Sequence, residues 1–121
     1  MIRTTRLFLL CEAAAFLVAA LVHFGVLVHG YDHQKAGTAE SVIGVALLAG
    51  LALTWVRPAS ARHAALTAQG FALLGTLVGI FTIAIGVGPR TAPDIVFHIA
   101  VVLALLSGLI VAARSGVAEH A

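Results

Sequence analysis

Hydrophobic positions along this chain form four long stretches, separated by short polar joints. The stretches cover residues 7–28, 40–56, 64–87 and 95–113. Each is close to the ~20 residues that cross the hydrocarbon core of a bilayer as a helix. None has the polar face that a helix on the surface of a soluble protein needs. The pattern therefore predicts an all-α protein with four transmembrane helices.

Composition supports this interpretation. Hydrophobic residues make up 61% of the 121 residues and charged residues only 10%, whereas soluble domains have roughly 25% charged residues. Four spans leave no room for a soluble domain, so residues 1–121 are expected to form a single integral membrane domain whose main partner is the lipid bilayer. The net charge is +2 and the basic residues are scattered, which gives no indication of nucleic-acid binding.

The distribution of arginine and lysine predicts the orientation. Lys35 and Arg90 fall on one side of the predicted spans, and five arginines fall on the other, namely Arg3, Arg6, Arg57, Arg62 and Arg114. Because basic residues are enriched in cytoplasmic segments, both termini are expected to be cytoplasmic. Glu12 interrupts the first apolar stretch, which argues for a retained helix rather than a cleaved signal peptide.

Short joints predict an up-down-up-down four-helix bundle in which the first helix neighbours the second and the fourth. Gly75 and Gly79 form a GxxxG in the third helix, and small residues let transmembrane helices approach closely. We therefore expect the third helix to be the most buried. The glycine contact is expected either within the protomer or across a homodimer or larger membrane complex.

The polar joints contain signals for helix ends. Thr38 is a candidate N-cap for the second helix. Thr91 and Asp94 have the spacing of a capping box at the start of the fourth helix.

Polar residues inside a membrane are costly and are candidates for function. His23 and His98 are expected at similar depth near the outer end of neighbouring helices, and Asp94 shares a helix face with His98. Glu40 begins the second span on the same side, and Arg90 lies above it, where it is expected to pair with a carboxylate. These residues predict one polar site that opens towards the periplasm. Equally open is a structural role, in which the carboxylates complement helix N-termini and the histidines face lipid headgroups.

A second pair of polar residues lies nearer the cytoplasm. Glu12 in the first span and Gln69 in the third are expected at the same depth, where they can form a hydrogen bond. Glu12 and His23 are eleven residues apart and so point the same way along the helix. The pair either belongs to a proton path or holds the helices together.

Two parts of the chain resemble a pattern in small bacterial four-helix membrane proteins that have no assigned function. They are residues 68–75, and residues 88–91 followed by Asp94 and His98. The chain departs from that pattern at Gln69, where histidine is expected. The resemblance implies a location in the bacterial inner membrane and supplies no activity.

Three classes of function stay open. In the first class, the outer site binds a metal ion or haem through His23 and His98, or a small polar ligand, with Asp94 and Glu40 as further ligands or orienting groups. Alternatively, the bundle moves a small solute or a proton with Glu12 as the titrating group. In the third class, the protein is a non-catalytic subunit of a membrane complex. The chain contains no nucleophile elbow, phosphate loop or dinucleotide fingerprint, so an enzyme is the least supported class.

Overall fold

The structure is a computed structural model that describes the backbone of residues 1–119 and the side chains of residues 1–115. The helices are α1 (Ile2–His23), α2 (Gln34–Val56), α3 (Ala61–Ala84) and α4 (Ala92–Glu119), with a short 3₁₀ helix at Pro58–Ser60. Residues 1–119 contain no β-strand. All four α-helices are long and apolar enough to cross a membrane. The predicted all-α fold with four membrane-spanning helices is confirmed.

The helices follow one another around the bundle. Helix α1 lies against α2 and α4, and α3 lies against the same two helices, whereas α1 and α3 touch only slightly across the diagonal. This arrangement confirms the predicted up-down-up-down topology. The centre is filled by apolar side chains with almost no exposed surface, among them Leu9, Phe16, Leu47 and Leu105.

Apolar side chains also cover the outside of the bundle. Large residues on every helix are about three-fifths exposed, including Leu7 (60%), Val45 (59%), Leu74 (63%) and Leu103 (61%). A soluble helix would place polar residues at such positions. An apolar exterior around an apolar core is what a bundle surrounded by lipid requires.

Helix α1 ends at His23, five residues before the end of the predicted span. The amide nitrogens of Gly25 and Val26 donate to carbonyl groups in the last turn of α1, and Gly25 has a φ of 75°, a conformation that glycine adopts without strain. The apolar pattern continues past this turn to Val28, which is why the sequence suggested a longer helix. His23 is consequently the last residue of α1 and not a residue inside it.

Helix α2 begins at Gln34, six residues before the predicted start of the second span. Its N-cap is His33, whose Nδ1 accepts a hydrogen bond from the amide of Ala36 at 3.1 Å. The prediction that Thr38 caps this helix is wrong, because Thr38 lies inside α2 and its hydroxyl donates to the carbonyl of Gln34 at 2.9 Å.

The capping box of α4 is confirmed. The amide and the hydroxyl of Thr91 both donate to Asp94 Oδ2, the amide at 3.1 Å. In return the amide of Asp94 lies 3.4 Å from Thr91 Oγ1. Helix α4 therefore begins at Ala92, one turn earlier than the apolar stretch indicated.

The prediction that the third helix is the most buried is wrong. The most buried span is α2, with 39% of its apolar window buried, against 22% for α3. Two glycines let α2 approach both of its neighbours. A Cβ atom at Gly44 would lie 2.7 Å from the Leu17 side chain of α1, and one at Gly50 would lie 2.5 Å from Ala68 Cβ of α3. The closest small-residue contact therefore lies between α2 and α3 at Gly50.

The glycines of the GxxxG make their contacts within one chain. A Cβ atom at Gly75 would lie 2.8 Å from Ile43 Cδ1 of α2, and one at Gly79 would lie 3.1 Å from His98 Nε2 of α4. The two glycines thus face different helices and accommodate side chains rather than backbone.

Arginines hold together the end of the bundle at which α2 ends and α3 begins, which we call the arginine end. Arg6 of α1 donates to the hydroxyl oxygen of Thr54 at 3.0 Å and to its carbonyl at 2.8 Å, and it lies 4.6 Å from the Trp55 ring centroid. Arg62 of α3 donates to the carbonyl of Ala113 in α4 at 3.3 Å. The opposite end, which contains loops 24–33 and 85–91, is called the histidine end.

Gly50→Ala should destabilise the bundle, because the added methyl group collides with Ala68 and overpacking of this kind costs about 1–3 kcal/mol. Thermal denaturation in a mild detergent measures the change. Gly70→Ala is the matched control, since a Cβ atom there meets nothing within 4 Å. Equal denaturation temperatures for the two variants would contradict the close contact between α2 and α3.

Candidate functional site

The His23 imidazole connects three helices at the histidine end. Its Nδ1 lies 2.7 Å from Glu40 Oε1 and 3.0 Å from Oε2 on α2, and its Nε2 lies 3.0 Å from Asp94 Oδ1 on α4. The three residues are only 4%, 6% and 7% exposed, respectively. We call them the His23 cluster. Three of the four polar residues predicted to meet at this depth therefore do so.

Helix ends place these side chains. His23 closes α1, and its carbonyl accepts a hydrogen bond from the His33 amide at 2.8 Å, which ties the loop back to the helix. Asp94 lies in the first turn of α4, where Thr91 holds its Oδ2 and leaves Oδ1 for His23. Glu40 lies in the second turn of α2, because α2 begins six residues earlier at Gln34.

The contacts constrain the protons of the cluster. Carboxylate oxygens accept hydrogen bonds, so each of the two ring nitrogens of His23 needs a proton between itself and the facing oxygen. Either the ring carries both protons, or the ring carries one and a carboxyl group carries the other. With these two bridging protons and no other, the three side chains carry a net charge of −1 in both cases.

His98 does not bond to His23. Its Nδ1 lies 2.7 Å from the backbone carbonyl of Asp94, one turn earlier in α4, and its ring faces Gly79 of α3. The prediction that His23 and His98 lie at similar depth in one site assumed that α1 continued past His23. Because α1 ends there, His23 lies level with Asp94 and one turn above His98.

Arg90 forms no ion pair with the cluster. Its Nη1 is 3.6 Å from the position of a Cβ on Gly86, in the loop before α4. Among the residues whose side chains the structure describes, the ion pairs with carboxylates involve His23 alone. The predicted pairing of Arg90 with Asp94 or Glu40 is therefore wrong, since His23 and Thr91 already occupy those carboxylates.

A cavity of about 180 Å³ lies next to the cluster, between the four helices and the loops of the histidine end. The residues that line it include Phe16, His33, Glu40, Thr76, Phe97 and His98. Glu40 thus belongs both to the His23 cluster and to the cavity wall. We call this space the histidine-end cavity. At the edge of this cavity, His33 contacts the loop before α4, with its Nε2 3.3 Å from the Val87 carbonyl.

A wider groove of about 700 Å³ lies on the other side of the cluster, between α1 and α4. His23 and Asp94 line it, together with Cys11 and Tyr31. The cluster therefore separates the groove from the histidine-end cavity.

The predicted hydrogen bond between Glu12 and Gln69 is confirmed. Gln69 Nε2 lies 3.2 and 3.1 Å from the two carboxyl oxygens of Glu12, and both residues are buried. A Cβ atom at Gly108 of α4 would overlap both side chains, so this glycine makes room for the pair. Gln69 Oε1 is buried without a hydrogen-bond partner.

Apolar residues separate the two buried polar levels. Glu12 and His23 are eleven residues apart, a rise of about 16 Å along an α-helix. The buried face of α1 between them consists of Ala13, Phe16 and Ala20. No hydrogen bond between described side chains connects the levels, so the proton path through Glu12 and Gln69 stays a prediction.

The donor geometry gives little support to a metal centre. Within the described residues, no three His, Cys, Asp or Glu side chains are placed to hold a metal ion. Both ring nitrogens of His23 face carboxylates, so a metal would have to displace one of them. The assignment of His23 and His98 as metal ligands stays a prediction.

The sequence places His33 in the loop over the site and favours a solvated position for it, and it gives no role in the site to Phe16 or Phe97. Histidine is not a typical N-cap, so nothing in the sequence marked His33 as the start of α2. Phe16 and Phe97 were indistinguishable from other apolar residues of the spans. Their rings are packed edge to face, with centroids 5.7 Å apart and an interplanar angle of 82°.

These features define a multi-pass membrane protein with four helices and polar groups buried at two depths. No protein-family model, curated protein or solved structure matches the chain. The resemblance to small bacterial membrane proteins stays a prediction.

His23→Phe should destabilise the protein strongly, because it leaves Glu40 and Asp94 buried without their donor. Removing one member of a buried ion pair costs about 3–5 kcal/mol. His98→Phe is the comparison, since it removes one hydrogen bond to the backbone, worth about 1 kcal/mol. Denaturation in detergent measures both variants. A loss for His23→Phe no larger than that for His98→Phe would contradict the bridging role of His23.

Proposed function

We propose that this protein binds a small polar ligand in the histidine-end cavity, beside the His23 cluster, in the bacterial inner membrane. The observation that carries the proposal is the double position of Glu40, which is bonded to His23 and also lines the cavity. Buried ionisable groups are costly in a bilayer and typically mark the sites where proteins handle ligands or ions. A cavity beside such groups gives them something to bind.

The size of the cavity limits the ligand. Its volume of about 180 Å³ is slightly larger than the ~150 Å³ of an apolar protein cavity that holds benzene. A small organic molecule fits that space, whereas a haem macrocycle is much larger. A metal ion is less well supported, because no three His, Cys, Asp or Glu side chains among the described residues are placed to hold one, and both ring nitrogens of His23 are already engaged.

One alternative has specific support. The His23 cluster satisfies its own hydrogen bonds, as expected if its role is to fix how the helices pack in a non-catalytic subunit of a homodimer or larger complex. A small-solute or proton transporter that uses Glu12 would need a rearrangement, because Phe16 and alanines separate the two polar levels of α1.

The orientation belongs to the same proposal. Both termini are cytoplasmic and the histidine end faces the periplasm, which the five arginines at the arginine end support. Under this orientation the ligand reaches the cavity from the periplasm.

Cysteine labelling tests the orientation. In a Cys11→Ala background, His29→Cys should react in intact cells with a membrane-impermeant maleimide, because the loop after α1 faces the periplasm. Ala59→Cys, in the joint between α2 and α3, should react only after the membrane is opened. The reverse pattern would overturn the orientation and would leave the fold unaffected.

Ligand screening tests the binding function. The wild-type protein in detergent is screened by thermal shift against small polar organic compounds of each charge type and against divalent metal ions. We expect a small organic compound to raise the denaturation temperature, and His98→Phe and Glu40→Gln to weaken its binding at least tenfold, about 1.4 kcal/mol. Stabilisation by none of these compounds, or equal stabilisation of all three proteins, would favour the non-catalytic subunit.

A further inference from the structure

We infer that the histidine-end cavity is built for a small organic cation, an ammonium group carried on a compact apolar body. This inference rests on the proposed function and names the chemical class of its ligand. Three features of the cavity carry it: an uncompensated negative charge, polar groups that accept but do not donate, and aromatic rings in the remaining wall.

The first feature is charge. The His23 cluster carries a net charge of −1 whichever way its two protons are placed, and Glu40 exposes that charge to the cavity. Lys35 is the cationic residue of the lining, but it is solvent-exposed and has no ion pair with a described carboxylate. A negative charge in a low-dielectric surrounding is stabilised by a bound cation.

The second feature is that the polar groups of the lining have used their donors elsewhere. The Nδ1–H of His98 donates to the Asp94 carbonyl, so Nε2 of the neutral ring is an acceptor, and no described residue donates to it. The hydroxyl groups of Thr76 and Thr82 donate to carbonyls of α3, both at 2.7 Å, and keep only their oxygen lone pairs.

His33 fits the same pattern. Its Nδ1 accepts from the Ala36 amide, so the proton of the neutral ring lies on Nε2, which faces the Val87 carbonyl. Apart from exposed Lys35, the lining therefore offers acceptors and no spare side-chain donor. An ammonium group has donors and no acceptor, so it complements this site, whereas a carboxylate or phosphate does not.

The third feature is the apolar part of the wall. Phe16 and Phe97 line the cavity with Ile43. Aromatic faces attract cations within about 6 Å of the ring centroid, and they also pack against the apolar body of an organic ligand. A metal ion has no apolar body to pack against such a wall, so the lining favours an organic cation.

Matched probes separate charge from size. The protein in non-ionic detergent is titrated with n-butylamine, n-butanol and butyrate, and in parallel with benzylamine, benzyl alcohol and benzoate, by isothermal titration calorimetry. We expect at least one amine to bind tenfold or more tightly than its alcohol, and the acids not to bind. Lys35→Gln should tighten amine binding, because it removes a competing positive charge from the lining.

Gly79→Ala locates the site without changing any charge. Its methyl group would lie 3.1 Å from His98 Nε2, so it should crowd the acceptor and weaken amine binding at least tenfold. Gly70→Ala makes the same change on the same helix in open space and should bind as the wild type does.

The outcomes separate this inference from the proposed function. Tighter binding of an alcohol or an acid than of its amine would overturn the organic-cation assignment and leave a polar-ligand function standing. Equal amine binding by Gly79→Ala and Gly70→Ala would place the amine elsewhere and also overturn the assignment. Binding of none of the six probes contradicts the assignment, and the separate thermal-shift screen then decides whether the cavity binds any other ligand.

Discussion

The constraint that shapes this protein is the cost of placing ionisable side chains inside a bundle with an apolar exterior. His23 meets that constraint by bonding to carboxylates on both sides, so that a single ring joins α1 to α2 and α4. Neither carboxyl group has another charged partner among the described residues. One imidazole therefore joins three helices at the histidine end of the bundle.

The helix ends are adapted to this bridge. A glycine turn stops α1 at His23, a histidine cap starts α2 early enough to put Glu40 in its second turn, and a capping box presents one oxygen of Asp94 to His23. The same arrangement leaves the other face of Glu40 on the histidine-end cavity. The carboxyl group of Glu40 thus belongs both to the bridge through His23 and to the wall of the cavity.

Fold and site were predictable from the sequence to different extents. Four apolar stretches with short joints leave little freedom, so the bundle and its helix order followed directly. The spacing of Thr91 and Asp94 predicted the capping box, because both of its bonds are local. Depth along the helices also brought His23 to the level of Glu40 and Asp94, and Glu12 to the level of Gln69.

The prediction for His98 failed because it depends on where helix α1 ends. In lipid-facing segments the apolar pattern continues through a turn, so hydrophobicity did not locate the end of α1 before Gly25. That error of one turn placed His98 opposite His23, when its ring in fact faces Gly79. The greater burial of α2 was also missed, because contacts at Gly44 and Gly50 depend on the particular side chains that face them.

Histidine ¹⁵N NMR of the protein in lipid bilayers tests the central claim most directly. The account predicts that both ring nitrogens of His23 are hydrogen-bonded and lie close to the carboxyl carbons of Glu40 and Asp94, whereas His98 has one protonated and one bare nitrogen. The His98→Phe variant lacks the His98 signals, and its spectrum therefore assigns them among those of the six histidines. A His23 ring with a bare nitrogen and no carboxyl carbon nearby would contradict the bridge and, with it, the charge proposed for the cavity.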